Sequence, residues 1–362
     1  MKLTPLRVFL VTLLVQTGCG TSQEVLEVRY DDVRQLRFVG TYKNLRTGVE
    51  LASGQWEFWY ANGERQARGF YQAGAIPTPS DLNLDSTDIP RVGRAGHWSF
   101  WSEEGTLVAE GEYLDGHKQG LWKTYWDDGS PQSQGEFESG REVGVHTRWH
   151  RGGQQFMVTH YEDGLRHGVA SEWSEEGVLI RSGPYFADQR VGPHVLYDEQ
   201  GFERERAEYL DGLLHGVRTT WNEQGCLEWS ATYVHGVQHG PFRLYHPSGA
   251  VRHQGEFVNG RQDGLLCAFD EDGGCEWEFE YQAGEQLGRR SHWYANGQKR
   301  SEGSFQRAVP IGEHREWYPS GQLKSVGKYK AGRPVGRWHA FHKDGTLDRR
   351  LSGNYSVGTS AR

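Results

Sequence analysis

Glycine recurs in this chain at a fixed interval of 24 residues: Gly96, Gly120, Gly144, Gly168, Gly192, Gly216, Gly240, Gly264, Gly288, Gly312 and Gly336, with a twelfth member at Gly54. Such unbroken spacing makes a tandem array, and a fixed period settles the architecture before any single motif is weighed. With each opening glycine counted as place zero, place nine is glycine in all twelve copies, from Gly63 to Gly345. The three residues ending on it read ANG, EEG, DDG, RGG or PSG among others. They suit a three-residue hairpin loop whose last residue is left-handed. A second turn ends at place twenty, as in LDG, ESG and EDG, and is expected to follow the same logic. Each unit is then two short antiparallel strands, and neighbouring units pair with each other.

The expected fold is all-β: an elongated, twisted, single antiparallel sheet built from about twelve 24-residue hairpin repeats. The 49 glycines and 14 tryptophans supply the turns and rings that such a sheet needs. Residues 1–19 read as an export signal, with Lys2 and Arg7 ahead of an apolar run too short to cross a bilayer. The run ends in Gly18-Cys19, which resembles the lipobox of bacterial lipoproteins with Cys19 as the lipidated residue, although Gln16 stands where that motif usually has Leu. A plainly cleaved signal is the alternative. Residues 20–53 form a degenerate capping repeat, as a stacked array requires at its end. The array itself covers 54–358 and is interrupted once by an insertion loop at 75–95, rich in Pro, Asp and Ser; 359–362 are a tail.

Place five is aromatic in every copy: Trp59, Trp101, Tyr125, Trp149, Trp173, Tyr197, Trp221, Tyr245, Phe269, Trp293, Trp317 and Phe341. Place seventeen is aromatic in eleven copies, and place fifteen is mostly Gly, Ala or Thr, leaving room for rings. A three-residue loop puts place five opposite place eleven, and alternation then predicts that all odd places share one face. On that reading the rings of places five and seventeen line up as ladders along the sheet. Trp56, Trp98, Trp122 and Trp338 at place two fall on the other face. A single layer leaves aromatic surface uncovered, and surface of that kind marks a partner site.

The joins YLDGHKQGLW, YEDGLRHGV, YLDGLLHGV and YVHGVQHGP, with WYANG and YPSG turns, resemble the MORN-repeat variant of YwqK-type proteins, a group often labelled antitoxin components. The resemblance covers residues 54–355. It implies a hairpin-repeat fold and a scaffold, membrane-apposition or protein-binding role. It departs from the family habit of tryptophan at place two, where His146, Ala170, His194, Arg218, Leu266, Arg290 and His314 stand here.

Carboxylates gather at the first turn as Glu103, Glu104, Asp127, Asp128, Glu175, Glu176, Glu271 and Asp272. Over all copies, places seven and eight hold eleven acids against Arg151 and Lys343. Acids suit turns and keep an edge soluble; the functional reading is a docking rim for a basic partner, or weak calcium contact. Cys226, Cys267 and Cys275 fit no zinc or redox spacing, and the last two, at places three and eleven, do not face each other. His167, His215 and His239 recur at place 23, where equivalent residues stand roughly 10 Å apart, too far to share one metal. No metal site, cofactor site or catalytic motif emerges. The net charge of −8 gives no pull toward nucleic acid. The expectation is a non-enzymatic, exported, lipid-anchored scaffold of the cell envelope, touching the membrane only through Cys19. A protein partner comes first, a polysaccharide on the ring ladder second, and an antitoxin-like role third.

Overall fold

A computed structural model describes residues 13–15, 23–29, 36–44, 50–72 and 89–356. Cys19, much of the capping repeat, the insertion between 73 and 88 and the tail lie outside the described residues. The described chain is all-β, a succession of antiparallel hairpins with strand neighbours adjacent in sequence. It divides into two compact units, Met1–Gln189 and Arg190–Arg362. In the first, strands Arg94–Trp101, Leu107–Leu114, His117–Tyr125 and Pro131–Glu138 follow one another edge to edge. In the second, Val237–Tyr245, Val251–Val258, Arg261–Phe269 and Cys275–Gln282 do the same.

The first turn is built as its sequence predicts. In the copy opening at Gly120, the Gly129 amide donates to the Trp126 carbonyl at 2.9 Å, and the Trp126 amide donates to the Ser130 carbonyl at 2.8 Å. Gly129 sits at φ 83°, where glycine avoids the side-chain clash of the left-handed region. Beyond the turn, Tyr125 pairs with Pro131, as place five with place eleven should. The next pair is Thr124 with Ser133, so Gln132 is an extra residue. This is a β-bulge, and the same shift recurs at Glu172/Trp173, Thr220/Trp221 and Glu316/Trp317.

That one residue overturns the expected sharing of a face by all odd places. Trp122 pairs with Gly135 and Gly120 with Phe137, so places two, four, thirteen, fifteen and seventeen share one face. Place five, adjacent to place four, points the other way together with place eleven. The rings of places five and seventeen are therefore on opposite sides of the sheet.

The second turn also differs from the expectation. It is a two-residue loop with both residues left-handed, as in Asp115 at φ 50° and Gly116 at φ 79°, and Leu114 pairs with His117 across it. Two left-handed residues in a loop of this length make a type I′ turn, whose twist matches that of the strands.

Candidate functional site

The face holding places two and seventeen is where rings meet. Tyr71 stands edge-on to Trp56 at 5.7 Å and to Trp98 at 5.0 Å, and Tyr113 stands edge-on to Trp98 at 6.2 Å and to Trp122 at 4.9 Å. In the second unit, Phe305, His314, Tyr329 and Trp338 continue the alternation at 5.1, 4.7 and 5.1 Å. Phe38, Trp56, Phe58, Ala67, Tyr71 and Trp98 bury one another at the start of the first unit.

The place-two tryptophans Trp98, Trp122 and Trp338 each lie against the place-fifteen glycine of the preceding copy. A Cβ on Gly69 would come within 2.0 Å of Trp98, one on Gly111 within 2.4 Å of Trp122, and one on Gly327 within 2.0 Å of Trp338. The ring nitrogen then reaches the place-sixteen carbonyl. Trp98 donates to Phe70 O at 3.0 Å and Trp122 to Glu112 O at 2.8 Å. Histidine fills the same seat where tryptophan is missing: His146 Nε2 lies 2.9 Å from Glu136 O, and His314 Nε2 lies 3.0 Å from Ser304 O. Their glycines, Gly135 and Gly303, leave only 2.1 Å for a Cβ. So two of the departures from tryptophan preserve both the ring and its hydrogen bond.

The twelve place-five rings, Trp59 to Phe341, are all half-buried on the opposite face. Their neighbours there are charged. Arg65 lies 5.3 Å over the Trp101 ring and is 3.3 Å from Glu57, while Lys299 lies 5.5 Å over Trp293 and pairs with Glu302 at 2.8 Å. The Tyr125 hydroxyl donates to Glu110 at 2.8 Å; burial, and then that carboxylate, push its pKa up to about 12. Place-five carbonyls also serve as anchor points between copies. Tyr60, Tyr294 and Tyr318 at place six donate to the carbonyls of Trp101, Trp317 and Phe341, each at 2.9 Å, and His150 and His246 reach Trp173 O and Phe269 O.

All eight residues of the predicted acidic rim are exposed at turn tips. Asp128 accepts from the Ser130 amide and hydroxyl, which hold its carboxyl below the ordinary range. Asp127 meets Arg151 at 2.5 Å, and Arg151 in turn lies 5.1 Å over Trp126.

Among the described residues no group of three or more His, Cys, Asp or Glu is placed to hold a metal ion. The place-23 histidines have separate local roles: His167 lies 3.1 Å from Glu162, His215 meets the ring of His235, and His239 reaches Asn259. Cys226, Cys267 and Cys275 are free thiols, and burial pushes Cys275 up to about 11.

One row was missed in the sequence. Place 22, two residues before the opening glycine, carries Arg94, Lys118, Arg166 and Arg190, whose cations stand over place-seventeen rings. The distances are 5.2 Å for Arg94 over Tyr113, 4.8 Å for Lys118 over Phe137, 4.2 Å for Arg166 over Tyr185 and 5.2 Å for Arg190 over Tyr209. A cation recurring at one place of the period was the available signal.

These features define an antiparallel hairpin-repeat protein with interlocked rings. Residues 118–139, 238–259, 286–307 and 310–331 match the MORN repeat variant, so the chain carries repeats of that family. Each matched segment starts at place 22 and stops inside the second turn, taking in one whole first hairpin. Repeats of the MORN kind commonly mediate protein interactions. No curated protein matches the chain. Among solved structures, a chain of the Photorhabdus luminescens Tc holotoxin pore carrying the TccC3-D651A mutation is similar at 9% identity, with a TM-score of 0.17. The match covers 90% of this chain and 19% of that one, and so low a score supports no argument about function.

Proposed function

We propose that the chain is a non-enzymatic scaffold that holds a protein partner by its basic side chains, taken between place-five rings and the acidic turn tips beside them. The observation that supports this most is repetition. Twelve half-buried rings occupy one place on the face opposite the interlocked ladder, and eleven acids occupy the two places of the adjoining turn tips. The chain's own cations indicate what such surfaces accept, since Arg65 uses Trp101, and Arg151 uses Trp126 together with Asp127. A ring–cation contact at an exposed site contributes about 0.5–1 kcal/mol, so affinity would come from engaging several copies at once. In this reading the chain is exported and held at the membrane by lipid on Cys19. Radioactive fatty-acid labelling tests the anchor: no label, or equal label on Cys19→Ser, removes it.

Binding of a fluorescent arginine-rich peptide tests the partner chemistry. Neutralising Glu103, Glu104, Asp127, Asp128, Glu175 and Glu176 to their amides is expected to weaken it about tenfold at low salt and to flatten its salt dependence. Unchanged binding by that variant sinks the reading. A polysaccharide partner forecasts the reverse, loss on changing Trp149, Trp173 and Trp221 to Ala with no response to the rim.

A further inference from the structure

In the first unit, residues 89–91 cross the ladder face just before the strand Arg94–Trp101. Buried Arg94, 5% exposed, holds them there: its Nε donates to Pro90 O at 2.9 Å, Nη2 to Ile89 O at 2.8 Å and Nη1 to the Tyr113 hydroxyl at 3.0 Å. The second turn supports the crossing from below, since a Cβ on Gly116 would lie 2.9 Å from Arg91 O. Beside this bridge opens a cleft of about 1040 Å³ whose lining includes Phe100, Tyr113, Trp122, Phe137, Arg91 and Lys118.

Lys118 Nζ stands 4.4 Å from the Trp122 ring centre and 4.8 Å from that of Phe137. Its counterparts in the same row are matched. Arg166 donates to Asp188 at 2.8 Å, and Arg190 donates to the Tyr209 hydroxyl at 3.1 Å. Among the described residues, the side chains of Lys118 and Arg91 make neither an ion pair nor a hydrogen bond. Burial lowers the Lys118 pKa; Glu142 opposes the shift and Arg91 adds to it. Glu142 lies 3.5 Å from His146 Nδ1. Two cations thus share the rim of a ring-lined cavity without a carboxylate bonded to either. The volume is that of a site for an organic molecule and exceeds what a simple ion needs.

We infer that this cleft binds a small organic anion, its negative group meeting Lys118 and Arg91 and its apolar body lying against Phe100, Tyr113 and Trp122. The inference is independent of the scaffold reading, because it uses the opposite face and the opposite charge. Indole-3-acetate is a suitable probe, with neutral tryptophol and inorganic phosphate as comparisons, titrated calorimetrically against the full chain. Indole-3-acetate is expected to bind more tightly than either, to weaken about tenfold in Lys118→Gln, and to be largely restored in Lys118→Arg. Arg91→Gln, at an exposed position, is expected to weaken it as well, and serves if Lys118→Gln does not fold. Tryptophol binding as tightly would show that charge is not recognised. Phosphate binding as tightly would show that the rings are not. Either outcome, no binding at millimolar probe, or unchanged binding in folded Lys118→Gln or Arg91→Gln overturns the proposal.

Discussion

At Gly135 the chain has room for a hydrogen and nothing more, because His146 of the next copy lies on its Cα. Gly135→Ala would put a methyl group 2.1 Å from His146 Nδ1. It is expected to cost about 1–3 kcal/mol, as overpacking does, read as a fall in Tm. Gly120→Ala is the control of a different kind. Its Cβ would meet nothing within 4 Å, but φ of 63° is unfavourable for alanine, at about 1–2 kcal/mol. Adding His146→Ala should recover part of the loss in Gly135→Ala and none of it in Gly120→Ala, and equal recovery in both would contradict the steric account. The small residue at place fifteen was legible in the sequence as space for a ring. Which ring was not, because a vacancy does not state whether its occupant comes from the same copy or the next. Thr159 shows the same pairing from its other side: where place fifteen is larger, the following place two is Ala170.

Among elements, the first hairpin was legible down to its Tyr125–Pro131 pair, and the faces were not. Alternation carries a face assignment along a strand only while pairing is uninterrupted, and the bulge at Gln132 reverses it within one residue. The glycine that ends each loop signals the turn but leaves the bulge beyond it unmarked. The second turn is one residue shorter than its sequence suggests, because LDG and EDG look like EEG and DDG; the φ values and the Leu114–His117 pair separate the two types. Two positions test these assignments. Ala308 occupies the left-handed turn position at φ 61° where most copies have glycine, so Ala308→Gly is expected to raise stability by about 1 kcal/mol in chemical denaturation. Tyr294→Phe removes the 2.9 Å bond to Trp317 O and is expected to lose about 1 kcal/mol without altering the strand content seen by circular dichroism.

For the molecule as a whole, the fold followed from the period together with its two turns, since eleven openings at a constant 24 residues repeat one hairpin pattern along the chain. The cation row shows in the sequence only as Arg or Lys recurring at place 22; its seat over the place-seventeen rings, and the cleft at Lys118, depend on cross-strand neighbours and on the crossing at 89–91, which no single repeat encodes. Acid sensitivity is a property at this scale too. Burial holds His253 and His292 below the ordinary 6.5, helped by Arg252 at the first and by Arg290 and Arg300 at the second. The folded chain then resists their protonation, so the stability they contribute is present above pH 6.5 and lost as pH falls through their lowered values. Tm is expected to decline below about pH 6.5, and the double variant His253→Gln, His292→Gln to decline less. Equal slopes in the two proteins would place the sensitivity elsewhere. Finally, the seating of rings such as Trp122 and His146 on the preceding copy's glycine constrains how such genes can recombine. An exchange joined at the first turn carries ring and seat together, whereas one joined at the second turn splits them and can set a tryptophan against Thr159. Shuffled or lengthened descendants should therefore carry their seams at the acidic tips.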